Sequence, residues 1–376
     1  MRIGVTGAFG FLGANFVSAL LRGEGGPSLE DLEIVAFASK TRANPILDES
    51  MVEIRELDVL DPASLARELS GLDALAHFAG RVDYRLSARL PVWETGAIGA
   101  KRVFDAALEV GLPRLLYVSS VCVLGPSPPG ELASESGSPY ADSRWPISFT
   151  SAEEALAAVE AYLAGERRVL KREGVAYIDA KLAAWELAKA YVRDRALPIV
   201  TVFPGTAVGP GDLHQAMSRL VDQVWEGRLR LSLPGVTSFV SSRDFARGAI
   251  LALERGKVGE GYVIGGRDQD IMSYAAFQDL VASVARKAGW RSAAKAMVPP
   301  RSLLLGLATV AERLAPSTEF SAGFVRSGSL RNVCGSAKAR SELGYDPSTS
   351  LEEAILECRA CSEALRSRQR SGRAAG

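Results

Sequence analysis

Cysteine, net charge and long apolar runs are all scarce in this chain, and each scarcity removes a class of protein. Four cysteines, Cys122, Cys334, Cys358 and Cys361, are too few to staple a chain of 376 residues with disulfides, so a reducing cytoplasm is the expected setting. Cys358 and Cys361 have zinc-like spacing, but no second pair and no nearby histidine accompany them. Two cysteines on a helix face are the expected reading, and no metal is expected. Lys+Arg and Asp+Glu balance at 44 each, leaving no net field to draw nucleic acid or anionic lipid. The longest late apolar run, Leu303 to Ala311, is far short of the roughly 20 residues a membrane-spanning helix needs. The N-terminus, Met1-Arg2-Ile3-Gly4-Val5, reads as a strand rather than a signal peptide. With 47% apolar and 23% charged residues, the composition is that of a globular protein of one large or two unequal α/β domains.

What is present is a glycine loop and a tyrosine–lysine pair. Residues 2–6 read as a short buried strand, followed by Thr6-Gly7-Ala8-Phe9-Gly10-Phe11-Leu12-Gly13 and the helical pattern Ala14–Leu21. The first glycine suits a tight turn, the second a close approach of backbone amides to a pyrophosphate, and the third close helix–strand packing. Its place between a strand and a helix makes this triplet a nucleotide-binding signal rather than a chance run. Tyr177 and Lys181 are four residues apart and so share a helix face, one turn from each other. An ammonium beside a phenol favours the phenolate, so the tyrosine is expected to exchange its proton below the ordinary value of about 10. The same spacing is common on solvated helix faces. The glycine loop, and Ser119-Ser120 at the end of a strand upstream, give the pair a chemical context.

The second strand, Ile34–Ala38, is followed by Ser39, Lys40, Thr41 and Arg42, with no carboxylate at its end. An Asp or Glu there binds the ribose 2′-hydroxyl of NAD. Two cations and a hydroxyl suit a 2′-phosphate instead, so NADP(H) is expected rather than NAD(H); solvated loop charges are the plain alternative. A third strand, Met51–Leu57, leads to Asp58-Val59-Leu60-Asp61, where Asp58 can accept from the adenine amino group and Asp61 can cap the helix Pro62–Ser70. The fourth strand, Leu72–Phe78, ends in Phe78-Ala79-Gly80, small enough for the backbone to pass close to a cofactor, and His77 reads as structural. A long helix over Val92–Val110, a fifth strand over Arg114–Ser120, a helix from Tyr177 to Arg193 and a sixth strand over Ile199–Phe203 complete a βα alternation. Beyond Pro204-Gly205-Thr206 it loosens into a smaller region, with a short strand expected at Leu229–Leu233. The expected architecture is therefore α/β, a Rossmann-type doubly wound parallel sheet over residues 1–205. A smaller α+β substrate-binding region follows over 206–365. The arginine-rich end, 366–376, is expected to be a disordered tail.

Taken together, these motifs resemble the extended short-chain dehydrogenase/reductase family over nearly the whole length. The carriers are Thr6-Gly7-x-x-Gly10-x-x-Gly13, Asp58, Tyr117-Val118-Ser119-Ser120, Tyr177-x-x-x-Lys181 and Phe203-Pro204-Gly205-x-x-x-Gly209-Pro210-Gly211. Ser242-Arg243-Asp244-Phe245, Gly259-Glu260-Gly261-Tyr262 and Ala337–Pro347 look most like the dihydroflavonol-reductase and 3β-hydroxysteroid-dehydrogenase-like branch. The resemblance implies that Ser120 hydrogen-bonds a substrate carbonyl and that Tyr177 delivers a proton. It implies that Lys181 lowers the tyrosine pKa and holds the nicotinamide ribose. Thr6, Phe9, Phe11, Leu12, Val59, Phe78, Ala79, Gly80, Ser119, Tyr177 and Pro204–Thr206 would contact the cofactor. A homodimer through the helices near 92–110 and 177–193 is a further implication.

Three features depart from the family pattern. Ser120 and Tyr177 stand more than twice as far apart as the usual couple of dozen residues. Residues of about 140–175 therefore read as a helical insertion, expected as a lid, a substrate wall or an oligomer contact, against the alternative of a surface decoration. Tyr140 and Arg144 lie at the ordinary distance from Ser120. They are rejected as the catalytic pair because Pro139 and Pro146 leave little room for a helix. Gly96 stands where the family has an asparagine that relays protons.

The expected function is NADPH-dependent reduction, or the reverse oxidation, of a ketone or secondary alcohol on a medium-sized, largely apolar molecule. A nucleotide-sugar epimerase or dehydratase is the first alternative, although Val121-Cys122 replace the acidic pair that dehydratases carry after the serine position. An NADP(H)-binding regulatory or scaffolding protein without turnover is the second.

Overall fold

The computed structural model describes residues 1–24, 32–39, 43–127, 130–142, 145–168, 173–213, 216–291 and 295–374. Apolar strands of four to six residues alternate with amphipathic helices through the first half, and the chain winds them into one parallel sheet. The elements run β1 (Arg2–Thr6), α1 (Phe11–Leu21), β2 (Glu33–Ala38), β3 (Glu53–Glu56), α2 (Pro62–Leu69), β4 (Ala74–His77), α3 (Arg89–Trp93), α4 (Gly99–Glu109) and β5 (Leu115–Val118). They continue with α5 (Ala152–Leu163), α6 (Ala176–Arg195), β6 (Ile199–Pro204), β7 (Thr206–Val208), α7 (Ala216–Trp225), β8 (Val236–Ser241), α8 (Ser242–Arg255) and β9 (Gly261–Ile264). The last are β10 (Ile271–Ser273), α9 (Tyr274–Lys287), α10 (Arg301–Leu314), α11 (Ala322–Gly328), β11 (Arg331–Asn332), α12 (Ala337–Leu343) and α13 (Leu351–Ala374).

Seven strands pair in the order β3-β2-β1-β4-β5-β6-β9, all parallel. The order reverses at β1, so the C-terminal ends of β1, β4 and β5 open a crevice, the place where such sheets bind ligands. Strands buried on both faces need two apolar layers. One layer is built around Val59, Val103, Phe104, Tyr117, Ala183 and Trp185, the other around Phe16, Val17, Phe245, Ile250 and Tyr262. A small sheet of β10, β8 and β11, with β7 on β8, carries its own core of Val221, Trp225, Phe239, Phe277 and Ile355. The doubly wound sheet with a smaller second region agrees with the expected α/β class.

Asp61 caps α2 as its spacing predicts, its Oδ1 accepting from the Ala63 amide at 3.1 Å. Two expectations are corrected. Leu229–Leu233 forms no strand, only a bridge between Leu231 and Met297. The helix expected over Val92–Val110 is broken by a π turn at Glu94–Ile98. At the C-terminal end, α13 runs through Ala374. Arg366 pairs with Asp222 at 2.5 Å, and Arg359 with the same carboxylate at 2.6 Å, so opposite charges on α7 hold the helix end down.

The described residues of the insertion brace α6. Val175 donates its amide to the Pro146 carbonyl at 2.8 Å. The Asp179 carboxylate accepts from the Ser148 amide at 2.7 Å and the Ser148 hydroxyl at 2.6 Å. A Cβ on Gly174 would stand 2.5 Å from Ser148 Oγ, so only glycine fits there. Trp145, Phe149, Ala155, Val159 and Tyr162 are buried in the same core as α4 and α6, and Tyr162 donates to Glu94 Oε1 at 2.7 Å. These contacts clamp the first turn of α6, where Tyr177 sits.

Candidate active site

Gly7 has φ +68°, a left-handed conformation open to glycine, and its added Cβ would stand 2.8 Å from the Ala79 amide nitrogen. Gly10 closes the turn by donating to the Gly7 carbonyl at 2.9 Å. A Cβ on Gly13 would sit 2.2 Å from Gly7 O, so the third glycine permits the close helix–strand approach. Gly10 also begins α1 with no side-chain cap and no acid in the first turn. The first amides of the helix are therefore left to an anion. This cradle fits a dinucleotide pyrophosphate.

Other members of the predicted cofactor set have mixed placements. Thr6 Oγ1 accepts from the Ala79 amide at 3.2 Å and bonds His77 Nδ1 at 2.7 Å, holding the end of β4 beside the glycine loop. Burial, and secondarily Lys181, depress the His77 pKa to about 3, so the ring is neutral and structural, stacked on Tyr117. Asp58 is exposed after β3, with its Oδ1 accepting from the Leu60 amide at 2.9 Å. The side chains of Phe9, Val59 and Phe78 turn into the core, Phe78 against Phe16 with ring centroids 5.0 Å apart. Phe11 and Leu12 are half-buried at the start of α1, and Ala79 and Gly80 lie at the sheet edge. Ser119 is buried, its amide bonded to the Val202 carbonyl at 2.9 Å. Pro204 ends β6, Gly205 donates to the Ile264 carbonyl at 3.1 Å, and Thr206 shares a hydroxyl–hydroxyl bond of 2.9 Å with Thr237. Ser39 follows β2; Lys40 and Arg42 lie outside the described residues.

The catalytic candidates converge. Ser120 follows β5 with its Oγ accepting from the Cys122 amide at 3.4 Å, and its hydroxyl acts on the Tyr177 phenol to hold that phenol's pKa down. Lys181, one turn along α6, is buried and donates Nζ to the Val118 carbonyl at 2.8 Å. A Cβ on Gly80 would come within 3.5 Å of that nitrogen, so the glycine leaves the ammonium face open. Desolvation lowers the Lys181 pKa to about 8, opposed by the neighbouring Cys122. Burial pushes the Tyr177 phenol up, with Cys122 adding to the rise and the Ser120 hydroxyl opposing it. The expected fall is not observed: Lys181 turns its ammonium onto the Val118 carbonyl, and desolvation governs the phenol. Tyr140 bonds Glu186 at 3.0 Å and so is engaged about one and a half turns beyond Lys181, and its partner Arg144 lies outside the described residues.

Several contributors escaped the sequence reading. Tyr84 lies edge-on to Tyr177 at 5.6 Å and to Phe324 of α11 at 6.0 Å, making an aromatic ceiling over the phenol. Gly323 lets α11 approach, since a Cβ there would stand 2.2 Å from the Tyr84 carbonyl oxygen. Asn44 donates to both Phe9 O and Gly211 O at 3.1 Å, and Asn15 donates to Pro210 O at 3.0 Å, tying the glycine loop to the loop after β7. Single polar residues in irregular segments carry no periodic signal. Only the cluster of breakers at 204–212 marked this region. Among the described residues no group of three or more His, Cys, Asp or Glu could hold a metal.

The model of the NAD dependent epimerase/dehydratase family matches residues 3–165 and 166–265, and the chain belongs to that family, within the extended short-chain dehydrogenases/reductases. Among its relatives, "Sterol demethylase protein B" of Methylococcus capsulatus is 28% identical over 264 residues, 70% of this chain and 69% of that protein. A "Putative dihydroflavonol 4-reductase" of Synechocystis is 24% identical, over 69% of this chain and 66% of the relative. The crystal structure of gox2253 superposes with a TM-score of 0.73 at 25% identity, covering 97% of this chain and 98% of that one. DesIV, a dTDP-glucose 4,6-dehydratase from Streptomyces venezuelae solved with NAD and TYD bound, gives a TM-score of 0.70 at 22% identity, over 96% and 97% of the two chains. Members of the family are NAD(P)-dependent oxidoreductases, epimerases and dehydratases.

Proposed function

We propose that the chain is an NADP(H)-dependent reductase, or in reverse a dehydrogenase, of a ketone or secondary alcohol on a medium-sized, largely apolar molecule. The observation that carries this reading is the buried phenol of Tyr177, one turn from buried Lys181 and on the side of β5 where Ser120 lies, against the uncharged ring of Tyr84, which Phe324 backs. The nicotinamide would supply or accept the hydride. Gly7, Gly10, Gly13 and the first amides of α1 would hold its pyrophosphate. Asp58 would meet the adenine, Ser39 with Lys40 and Arg42 the 2′-phosphate, Lys181 the ribose, and Pro204–Thr206 the nicotinamide end.

Ser120 orients the substrate carbonyl through its hydroxyl. Tyr177, kept protonated by burial, has a proton to give as charge develops on the carbonyl oxygen. Lys181, with its pKa near 8, stands ready to stabilise the phenolate left behind. The second region, residues 206–365, together with Tyr84, encloses the rest of the substrate. The names of the sterol and dihydroflavonol relatives support a fused-ring or similarly apolar substrate.

The test is a tryptophan-quenching titration with NADPH and NADH, followed by a panel of apolar ketones. The expected result is tighter NADPH binding and ketone-dependent NADPH consumption. Tighter NADH binding, or NAD that copurifies with the protein, overturns the reductase reading in favour of a nucleotide-sugar epimerase.

A further inference from the structure

Helix α10 is amphipathic in an inverted sense. Leu304 and Ala308 are buried against Val325, while Leu303, Leu307, Val310 and Leu314 are 53, 51, 54 and 82% exposed. Their spacing of four, three and four residues places all four on one stripe. The stripe is extended at both ends. Met297 and Val298 precede it, exposed, and Met297 bridges to exposed Leu231. At the far end, exposed Leu86 donates its amide to Glu312 Oε1 at 2.7 Å. Scattered exposed leucines are ordinary, whereas a contiguous apolar patch on a surface helix marks an interaction site.

The charges along the stripe are mostly of one sign. Between residues 291 and 314 the cations are Arg291, Lys295, Arg301 and Arg313, all exposed, and the only acid is Glu312. Both oxygens of that carboxylate are turned onto amides, Leu86 at 2.7 Å and Ala322 at 3.2 Å. The nearby acids are likewise engaged, Asp279 by the Ala296 amide at 2.9 Å and Glu319 by Arg219. The balanced net charge of the chain thus conceals a local positive excess around an apolar face. Apolar residues rimmed by cations complement an anionic bilayer, whose phosphates lie above its acyl region. A second copy set two-fold on the same stripe would bring these cations together, with those carboxylates already engaged.

We infer that α10 and its flanks are a docking surface for an anionic lipid bilayer. The stripe lies on the outer side of the α10–α11 unit, and the inner side of that unit supplies Phe324 to the ceiling over Tyr177 through Tyr84. Docking therefore presents the ceiling side of the site to the membrane, from which an apolar molecule can enter without crossing water. The inference does not depend on which reaction the site performs.

The test is flotation of the full chain with vesicles of phosphatidylcholine alone and of phosphatidylcholine mixed with phosphatidylglycerol, at low and physiological salt. The expected result is flotation with the phosphatidylglycerol vesicles that weakens with salt. The pair Leu307→Glu and Leu314→Glu lowers the floated fraction by about tenfold or more, with circular dichroism and nucleotide binding unchanged. Arg301→Gln with Arg313→Gln leaves the apolar stripe intact, carries the test if the leucine pair misfolds, and removes the preference for anionic vesicles. No flotation above the lipid-free control overturns the inference, as does flotation that both variant pairs leave intact. A dimer in light scattering that the leucine pair dissociates also overturns it, because the stripe is then covered by a second copy.

Discussion

Tyr177 and Lys181, one helical turn apart, are moved in opposite directions from their ordinary values, and desolvation is the first cause of both moves. The phenol is driven up and holds its proton; the ammonium is driven down to about 8 and can lose its proton in mildly alkaline solution. For reduction, the competent form has Tyr177 protonated and Lys181 charged, and the lysine is the first to be lost as pH rises. The descending limb of kcat/KM in the reductive direction is therefore expected near pH 8. Lys181→Arg, whose guanidinium stays charged, should move that limb upward even if turnover is reduced. A profile flat through pH 10 would remove Lys181 from the mechanism. His77, with its pKa near 3, contributes no limb in this range.

Two elements set where those side chains sit. The π turn at Glu94–Ile98 brings Gly96 against α6, where a Cβ would stand 3.0 Å from Ala180 Cβ. The family's asparagine has no room at this contact. Gly96→Asn is expected to destabilise the protein by about 1–3 kcal/mol through overpacking, read as a lower urea midpoint, and Ala180→Gly in the same chain should recover part of that loss. A midpoint unchanged by Gly96→Asn would mean the two helices can separate freely.

The glycine loop, the strand–helix alternation, the Asp61 cap and the helix of Tyr177 and Lys181 were legible because each is written in local spacing. The π turn, the clamp of Ser148 on Asp179 and the Tyr84 ceiling were not, since each arises from residues far apart in sequence meeting in space. The contact of Arg366 with Asp222 of α7 is of the same kind, since nothing local in the arginine-rich end points to a carboxylate so far away in sequence.

At the scale of the whole molecule, a parallel sheet fixes the glycine cradle, Ser120 and α6, and the second region closes over them with α11. The central claim is that the tyrosine gives the proton at this site, and Tyr177→Phe tests it most directly. The substitution removes one hydroxyl and leaves the ring against Tyr84. The account predicts a fall in ketone turnover of roughly 10²–10⁴, measured at saturating NADPH so that any change in cofactor affinity is kept apart from the loss of the proton. Turnover within about tenfold of the parent protein, at equal NADPH occupancy, would contradict it.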